Sequence, residues 1–581
     1  MILELVGLPG SGKSTFARSL ESDKKWTRVR ITKRGELLYY ATYFFLRHPV
    51  STARQLSFLI RYRGNRALWY TKFINLFLVH NAKYMKASRL AHAIIDQGHL
   101  QNAMSLFDTE VEDEVLFSYI AILPHPDMVV FFDVSEAVRM QRIAGRGYGV
   151  REHFSPELRA QWGESSARHF ARLFARRASL ECTAIVLREG EEEALCLRLS
   201  ALRLVRFVMH LRMPTEKAHG VQIAKTLEAL SHAGEFVELW IPKRKNLITE
   251  NLFAYYGLTA TFPIRTIHSV EILKYVGVLK SIAYWLDALT FLCALLIERV
   301  DTQSLYYTRS APVAWLLKNK GARVYFEAHA WPASKASVLA YLLRRIDGVA
   351  ANSHGTAQEF VTRGFRGVEI IRNGVDLERF ESTLTHAEAR KQVRLPENGK
   401  IIMYVGSFAR WKGVATLCGA WKKIQKQFPD TALVFVGGTV AQLEGFPECH
   451  DIRADESVIV LGHQSSNLVP AYLRSANVLV LPNEPINNES VHYTSPIKLF
   501  EYMASGRPII ASDLPSIREI LDETTATFFS AGDVTNLSQK LSAILSNNIE
   551  ALARAEHASA LVEVYGWAKR AKSIIAMLGN K

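Results

Sequence analysis

The stretch Ser495–Pro508 reads Ser-Pro-Ile-Lys-Leu-Phe-Glu-Tyr-Met-Ala-Ser-Gly-Arg-Pro and decides the fold of the C-terminal part of the chain. It predicts a helix with Glu501 near its start. Backbone N–H groups at the start of a helix are free to cradle phosphate, and a lysine there adds positive charge. We therefore expect an anion-binding site. Its candidate residues are Ser495, Pro496, Ile497 and Lys498.

A second stretch lies upstream, where a predicted strand runs into a glycine turn. Tyr404–Gly413 reads Tyr-Val-Gly-Ser-Phe-Ala-Arg-Trp-Lys-Gly. Lys412 follows the turn at Gly406, where its charge can neutralise a diphosphate that leaves with growing negative charge. Arg410 is a further candidate cation in the same turn.

These two stretches closely resemble the family 4 glycosyltransferases of the GT-B fold. Three more segments are similar to that family, and the resemblance runs from about Val205 to the C-terminus. It implies two Rossmann-like domains that face a central cleft and a transfer that retains the anomeric configuration, with the leaving phosphate as base. The three further segments are Met213–Ile223, Tyr325–His329 and Ile371–Phe380.

The resemblance implies roles for individual residues. Glu501 accepts hydrogen bonds from the two ribose hydroxyls of the donor, and His329 lies against the donor sugar. Gly220, expected in a loop before a helix, lets the backbone approach the donor phosphates. The chain departs from the family at Ser407, where an arginine is usual, and at Tyr493, where a glutamate often contacts the sugar.

The implied substrates are a UDP- or GDP-sugar donor and a glycan or lipid-linked acceptor, with no divalent metal needed in the cleft. This chemistry suits a cytoplasmic enzyme of surface polysaccharide assembly. Two alternatives stay open, a phosphorylase and a degenerate glycan-binding module. Lys412 and Glu501 favour a nucleotide donor over the phosphorylase.

The N-terminus carries a separate phosphate-binding motif. Gly7–Thr15 reads Gly-Leu-Pro-Gly-Ser-Gly-Lys-Ser-Thr, between a predicted strand and a predicted helix. Glycines let backbone N–H groups close around phosphates, while Lys13 reaches the terminal phosphates and the Ser14 hydroxyl holds Mg²⁺. The candidate nucleotide-binding residues are Gly7, Gly10, Gly12, Lys13, Ser14 and Thr15.

The rest of this block resembles the nucleoside- and nucleotide-kinase branch of the P-loop folds. Asp96, at a predicted strand end, can accept the proton of a substrate hydroxyl or hold Mg²⁺ through water. Arg142 and Arg146 resemble lid arginines that stabilise the transferring phosphoryl group. The resemblance implies ATP with Mg²⁺ and a kinase that phosphorylates a sugar or glycan. The alternatives are a nucleotide-dependent switch or a membrane-docking module without transfer activity.

Strand-like apolar runs alternate with helical stretches, which predicts an α/β protein built on parallel sheets. We expect a P-loop domain at residues 1–200, an acceptor domain at 205–385 and a donor domain at 386–581, with the last helix crossing back. The predicted strands are Ile2–Val6, Ala93–Ile95, Met128–Phe132, Ala184–Leu187, Val205–His210, Phe236–Trp240, Ser304–Tyr307, Arg323–Phe326, Gly348–Ala351, Glu369–Ile371, Ile401–Val405, Ala432–Val436, Val458–Leu461, Val478–Leu481, Pro508–Ala511 and Ala526–Phe528.

Charge and cysteine content indicate which partners and which kinds of site to expect. The net charge is +15, and the segment Lys24–Arg89 holds fifteen lysines and arginines against the single acid Glu36. Such a segment can bind nucleotide phosphates, an anionic glycan or an acidic membrane surface. The last of these would place the protein peripherally on the cytoplasmic face of the inner membrane. No nucleic-acid module accompanies it. Five scattered cysteines predict neither disulfides nor zinc sites.

Overall fold

The computed structural model describes residues 1–23, 25–145, 154–177, 180, 182–200, 202, 204–269, 280–298, 300–332, 336–381, 384–452 and 455–579. The chain divides into two compact units. Unit 1 contains residues 1–203 and 261–265, and unit 2 contains residues 204–260 and 266–581. Within the described part of the chain, no helix is long and apolar enough to span a membrane.

Unit 1 is built on a parallel sheet in the order β2-β3-β1-β4-β5. Its strands are β1 Ile2–Val6, β2 Thr27–Arg28, β3 Ala93–Ile95, β4 Met128–Asp133 and β5 Thr183–Arg188. Its helices are α1 Lys13–Ser22, α2 Arg34–Arg47, α3 Pro49–Arg61, α4 His80–Ala87, α5 His99–Ser105, α6 Asp113–Ile120, α7 Glu136–Ala144, α8 Pro156–Ala175 and α9 Glu192–Ser200. A 3-10 turn at Arg66–Leu68 and a π-helical segment at Thr71–Val79 precede α4.

The first half of unit 2 has a sheet in the order β12-β11-β10-β9-β6-β7-β8. Its strands are β6 Leu204–Val208, β7 Phe236–Pro242, β8 Ile264–Ile267, β9 Leu305–Thr308, β10 Arg323–Ala328, β11 Gly348–Ala351 and β12 Val368–Ile370. Its helices are α10 Ala218–His232, α11 Leu252–Tyr256, α12 Lys280–Ile297, α13 Ala311–Asn319, α14 Ala336–Leu343 and α15 His354–Thr362. A 3-10 turn at Leu377–Phe380 leads to the second half.

The second half has a parallel sheet in the order β15-β14-β13-β16-β17-β18. Its strands are β13 Lys400–Val405, β14 Thr431–Val436, β15 Val458–Val460, β16 Val478–Leu481, β17 Ile509–Ser512 and β18 Thr527–Phe529. Its helices are α16 His386–Gln392, α17 Val414–Gln427, α18 Val440–Glu444, α19 Val469–Ser475, α20 Ile497–Ala504, α21 Pro515–Arg518, α22 Val534–Ser546, α23 Ile549–Leu561 and α24 Trp567–Gly579. The 3-10 turns are Arg410–Lys412, Pro447–Ile452, Ser466–Leu468 and Val562–Tyr565, and a π-helical turn spans Glu489–Tyr493.

Helices cover both faces of the second-half sheet, which explains why its strands read as continuous apolar runs. Along β13, Ile401 and Met403 enter one buried cluster, whereas Ile402 and Tyr404 enter another on the opposite face. Successive residues of a strand point to opposite faces, so a strand buried on both faces must be apolar throughout. This pattern made the strands of the second half predictable.

The prediction that the cysteines form no disulfide is wrong for one pair. Cys418 on α17 and Cys449 in the turn Pro447–Ile452 are joined by a disulfide, with their Cα atoms 5.3 Å apart. The two residues are 31 positions apart and meet because α17 packs against that turn. Tertiary packing of this kind leaves no trace in sequence spacing.

Candidate active site

Two lysines from the second half of unit 2 lie close together. Lys412 ends the 3-10 turn after β13, and Lys498 lies in the first turn of α20. Lys412 Nζ donates a 2.7 Å hydrogen bond to Ser407 Oγ. Lys498 Nζ lies 4.2 Å from the centroid of the Tyr404 ring, and Gly406 packs beside its aliphatic stem. The two stretches quoted from the sequence therefore meet in space.

The charge on Lys498 is not compensated within the described residues. The side chain is 9% exposed, and its Nζ has no hydrogen-bond partner there. Burial holds the pKa of Lys498 well below its usual value, and repulsion from Lys412 lowers it further. Burial also lowers the pKa of Lys412. The negative charge of Glu489 partly opposes this shift at Lys412. Lys498, a buried ammonium group beside a second cation, therefore fits an anion such as a diphosphate.

The start of α20 lies beside these lysines and presents free donors. Pro496 precedes the helix, and no side chain caps the helix start at Ile497. The hydroxyl of Ser495 is buried without a partner among the described residues. The Ser495 carbonyl accepts a 2.6 Å hydrogen bond from Asn373 Nδ2, which fixes the loop. Ser495–Lys498 thus form the start of α20, and their binding of phosphate stays a prediction.

Glu501 lies one turn further along α20. Burial raises the pKa of its carboxyl, and the nearby Arg379 partly opposes this rise. Arg379 belongs to the turn Leu377–Phe380, and its Nη2 has no partner in the described part of the chain. A carboxylate and a guanidinium in this arrangement offer both acceptors and donors to a ribose.

Arg410 lies apart from the other candidates. It is exposed and forms a 3.6 Å ion pair with Glu448 Oε1. Its partner is a carboxylate on the turn Pro447–Ile452. The phosphate role expected for Arg410 therefore needs this ion pair to open.

The first half of unit 2 places His329 just after β10. Its Nε2 lies 3.2 Å from Glu327 Oε1, an atom that also accepts a 2.6 Å hydrogen bond from Gln222 Nε2. Burial lowers the pKa of His329, and repulsion from Arg309 adds to this effect. His329 is therefore neutral near pH 7 and is 26% exposed at its side chain. A neutral imidazole here can bind a sugar hydroxyl.

Two further polar residues surround His329. Arg309 follows β9, which pairs in parallel with β10, so both residues leave the same edge of the sheet. Burial lowers the pKa of His219 to about 4, and the charges of Arg309 and Lys217 contribute. The carboxyl ends of the strands thus gather His219, Arg309 and His329, where ligands bind in open α/β sheets.

Arg570 on α24 joins the two halves at this point. Its guanidinium donates to Glu327 Oε1 at 2.6 Å, to Thr226 Oγ1 at 3.1 Å and to the Ile371 and Arg372 carbonyls at 2.9 and 2.6 Å. Burial alone would raise the pKa of Glu327, but Arg570, His329 and Arg309 hold it well below the usual value. The ionised carboxylate then holds His329 in place.

The prediction that Gly220 lies in a loop is wrong. Gly220 is the third residue of α10 and is buried. A Cβ at this position would lie 2.2 Å from Tyr256 Oη and 2.6 Å from Thr215 Cγ2. Close packing of α10 against α11 and the preceding loop therefore requires glycine here.

Tyr493 takes part in a contact between the two halves of unit 2. Its hydroxyl donates a 3.0 Å hydrogen bond to Glu359 Oε1 on α15, and its carbonyl accepts a 2.8 Å hydrogen bond from Asn352 Nδ2. The ring packs in the core of the first half. The residue at the position of the family's sugar-binding glutamate thus packs against the other half, with its ring buried.

In unit 1 the glycine motif forms a tight loop between β1 and α1. Gly10 and Gly12 have φ of 82° and 94°, a region that other residues rarely adopt, and no side chain caps the start of α1. These features fit a phosphate cradle. Lys13 Nζ, however, donates to the Gly7 and Leu8 carbonyls at 2.5 and 3.1 Å and to Ser11 Oγ at 3.3 Å. It must leave these partners to reach a phosphate.

The other candidates of unit 1 lie around this loop. Arg142 on α7 approaches Gly12 and lines a cavity of about 670 Å³ together with Thr15, Glu192 and Cys196. Ser14 is exposed at the first turn of α1. Arg146 lies outside the described residues.

Asp96 follows β3 at the sheet edge that also bears the loop after β1. It pairs with Arg28 Nη2 and lies 3.6 Å from Lys83 Nζ. Burial alone would raise the pKa of Asp96, but these two cations keep it low. Asp96 is therefore ionised, and it is more suited to holding Mg²⁺ through water than to strong base catalysis.

Comparison with known proteins identifies the two halves of unit 2. Residues 399–547 match the family described as "Glycosyl transferases group 1", and residues 220–379 match "Glycosyltransferase Family 4". The chain carries family 4 glycosyltransferase domains. These matches contain the cleft residues that were predicted from the sequence, whereas His219 and Arg570 lie outside them.

Curated relatives of these glycosyltransferase domains cover part of the chain. Phosphatidyl-myo-inositol mannosyltransferase of Mycobacterium tuberculosis is 30% identical over 212 residues, which are 35% of this chain and 52% of that protein. D-inositol 3-phosphate glycosyltransferase of Corynebacterium urealyticum is 24% identical over 220 residues, 36% of this chain and 50% of that protein. The chain spans about half the length of the curated relatives it matches.

Solved structures show the fold of the glycosyltransferase domains. Anabaena HepE in complex with UDP and glucose superposes with a TM-score of 0.51 at 14% identity, covering 65% of this chain and 99% of that chain. Sucrose-phosphate synthase from Thermosynechococcus elongatus has a TM-score of 0.51 at 19% identity, with 65% and 98% covered. Unit 2 therefore has the GT-B architecture.

Some residues of the candidate site were not found from the sequence. Arg309 lies two residues after the predicted strand Ser304–Tyr307, and a charged residue near a strand's carboxyl end is a signal that points to it. Arg379 lies within a segment that resembles the family. Arg570 has no such signal, since it is one of several cations on an amphipathic helix and meets Glu327 through long-range packing.

Proposed function

We propose that unit 2 is a retaining glycosyltransferase that moves a sugar from a UDP- or GDP-sugar to a glycan or lipid-linked acceptor in surface polysaccharide synthesis. The bond between the anomeric carbon and the diphosphate oxygen breaks, and the acceptor hydroxyl forms the new glycosidic bond. The proton of that hydroxyl passes to the departing diphosphate. The family matches and the functions named for the relatives support this class of reaction.

The observation that carries the proposal is the buried Nζ of Lys498, which lies near Lys412 and has no hydrogen-bond partner among the described residues. A buried ammonium group without an anion is unfavourable, and a diphosphate supplies the missing charge. The interaction strengthens as the diphosphate leaves, because its negative charge grows in the transition state. In this proposal Glu501 and Arg379 bind the ribose of the donor, and His329 contacts the donor sugar from the other half of unit 2.

Nucleotide binding tests this proposal directly. Titration of UDP and GDP into the full chain is expected to show one preferred nucleotide. Lys412→Ala and Lys498→Ala each remove one charge-assisted contact. Each variant should bind the preferred nucleotide more weakly, by about ten-fold or more. Lys426→Ala, an exposed lysine on α17, is the matched control and should bind normally.

Transfer itself is checked by incubation with the matching nucleotide-sugar and inositol-containing lipids or glycan fragments, followed by NMR of the product's anomeric centre. Retention of configuration is expected. If neither UDP nor GDP binds the wild-type chain, the donor site does not exist, and the degenerate glycan-binding module becomes the better reading of unit 2.

Unit 1 binds ATP with Mg²⁺ in this proposal and phosphorylates a sugar or glycan. The bond between the γ-phosphorus and the bridging oxygen of ATP breaks and ADP leaves, while a substrate hydroxyl forms the new P–O bond and its proton passes to water. Ser14 and Asp96 would hold Mg²⁺, and Arg142 would contact the phosphates. The glycine loop and the neighbouring cavity support this assignment.

A nucleotide-dependent switch without phosphoryl transfer is the second candidate for unit 1. The contacts of Lys13 with its own loop carbonyls favour it, because they define a state that nucleotide binding must displace. Phosphate transfer from labelled ATP to sugars separates the two candidates. Loss of both ATP binding and sugar transfer in Lys13→Ala, with no labelled sugar from the wild type, would favour the switch.

A further inference from the structure

The outer faces of α2 and α3 and the loop that follows them, residues 34–70 of unit 1, expose an unusual number of apolar side chains. We call this the 34–70 surface. Leu38 and Leu46 are 71% and 76% exposed, although both lie within a regular helix. The large exposed apolar side chains of this surface are Leu38, Tyr39, Leu46, Val50, Ile60, Trp69 and Tyr70.

These side chains are not the edge of the core. Leu38 and Leu46 are eight residues apart, with Thr42 between them, and all three lie on one stripe of α2. The core side of α2 is made by Ala41 and Phe44, which are buried, and α2 packs against α4. The apolar stripe therefore faces solvent.

Basic residues share the same surface. The exposed set is Arg34, Arg47, Arg54, Arg61, Arg63 and Arg66. The one acid in this segment, Glu36, pairs with Lys86 Nζ and accepts a 3.1 Å hydrogen bond from the Thr32 N–H. The hydrogen bond from Lys86 is the main reason why the pKa of Glu36 is lowered. The exposed charge of the 34–70 surface is thus entirely positive within the described residues.

We infer that the 34–70 surface docks the protein onto the surface of an anionic lipid bilayer. Arginine guanidinium groups meet acidic headgroups, while aromatic and aliphatic side chains enter the boundary between headgroups and acyl chains. Tyr39 and Tyr70 have the amphipathic character that suits this boundary. Cations alone would serve any polyanion, but the bare aliphatic tips of Leu46, Val50 and Ile60 gain nothing from phosphates in water.

Lipid is the partner that fits this surface, because exposed basic and exposed apolar side chains occur on it together. Leu46 and Val50 lie on either side of the junction between α2 and α3, and both are exposed. Removing such side chains from water is favourable in proportion to the area covered. The inference does not depend on the activity proposed for either unit, since it uses neither nucleotide site.

Vesicle flotation of the full chain tests the inference. The wild type is expected to float with vesicles of phosphatidylcholine mixed with phosphatidylglycerol and to stay unbound with phosphatidylcholine alone. Each basic residue near an anionic membrane contributes about five-fold in affinity, so Arg54→Gln/Arg61→Gln/Arg66→Gln should lower it by about 100-fold. Leu46→Gln/Val50→Gln should weaken binding at unchanged charge.

The matched control removes three positive charges elsewhere. Lys391→Gln/Lys426→Gln/Lys572→Gln changes exposed lysines of unit 2 and should float like the wild type. All substituted side chains are exposed, and thermal unfolding should confirm intact folding. Equal binding by wild type and arginine variant, or equal loss in the lysine control, would overturn the inference. Binding of the wild type to RNA but not to vesicles would overturn it as well.

Discussion

Arg570 Nη2 donates a 2.6 Å hydrogen bond to Glu327 Oε1, and these two side chains, each 2% exposed, join the last helix to the opposite half of unit 2. Glu327 in turn contacts His329 through the same oxygen. A residue near the C-terminus thereby fixes a carboxylate beside the candidate sugar site. The geometry of the cleft therefore depends on the position of α24.

Removal of Arg570 is expected to destabilise unit 2 strongly. Arg570→Met leaves the Glu327 carboxylate buried without its cation, which costs about 3–5 kcal/mol of unfolding free energy. Urea denaturation measures this cost, and Lys572→Met, an exposed position on the same helix, is the control with little effect. The double variant Arg570→Met/Glu327→Gln should recover part of the loss, whereas strictly additive costs would show that the two residues act independently.

Replacement of Lys498 is expected to have opposite effects on stability and binding. Lys498→Met removes a buried ammonium group that has no partner among the described residues, so the ligand-free protein should gain about 1–3 kcal/mol of unfolding free energy. The same change should weaken binding of UDP or GDP. Thermal unfolding with and without nucleotide measures both effects. A variant that loses stability without ligand would show that Lys498 has an anionic partner in the free protein.

Gly220→Ala is expected to lower stability, although alanine favours helices. The added Cβ would lie 2.2 Å from Tyr256 Oη, and overpacking of this kind costs about 1–3 kcal/mol. Gly163→Ala in α8 is the contrasting control, because no heavy atom lies within 4 Å of a Cβ there, and a gain of about 0.8–1 kcal/mol is expected. Denaturant titration measures both.

A phosphate-binding role for Gly220 makes a different prediction from a packing role. If glycine is needed for packing, Gly220→Ala should bind nucleotide with unchanged affinity once folded, and Gly220→Ala/Tyr256→Phe should regain part of the stability because the hydroxyl is gone. If the backbone of Gly220 contacts donor phosphates, nucleotide affinity should fall in both variants.

Most strands of the three sheets were predicted from the sequence, because a short apolar run that is buried on both faces is typical of a strand in a parallel sheet. The strand at Gly348–Ala351 was predicted at its observed bounds. β2, Thr27–Arg28, was missed because two polar residues in a basic segment carry no apolar pattern. β8, Ile264–Ile267, was missed because it exposes Arg265 and Thr266 and belongs to a sheet edge.

The candidate site was predictable where it depends on local backbone geometry. Glycine turns and helix starts place Gly406, Lys412 and Lys498 near one another through short segments next to parallel strands. The contacts of Arg570 and Tyr493 depend on how distant elements pack, and neither residue is distinguished by its neighbours in the chain. Contacts between residues that are distant in the chain were therefore not predictable from sequence patterns.

Acid is expected to destabilise unit 1 through His99. This side chain is 2% exposed, and its Nε2 lies 2.8 Å from Asn81 Oδ1. Burial lowers the pKa of His99 to about 3, while an unfolded histidine has a pKa of about 6.5. Between these values the unfolded chain binds a proton that the folded chain does not. Stability is therefore complete above about pH 6.5 and is lost as the pH falls toward 3.

His99→Gln should remove this contribution to the pH dependence. One proton fewer is taken up on unfolding, so the slope of unfolding free energy against pH, between about pH 5.5 and 4, should decrease by about 1.4 kcal/mol per pH unit. Denaturation of unit 1 at several pH values measures the slope. His557→Gln, an exposed histidine of unit 2, should leave it unchanged. An unaltered slope in His99→Gln would mean that His99 is protonated in the folded protein over this range, with Asn81 or a neighbouring carbonyl stabilising the charge.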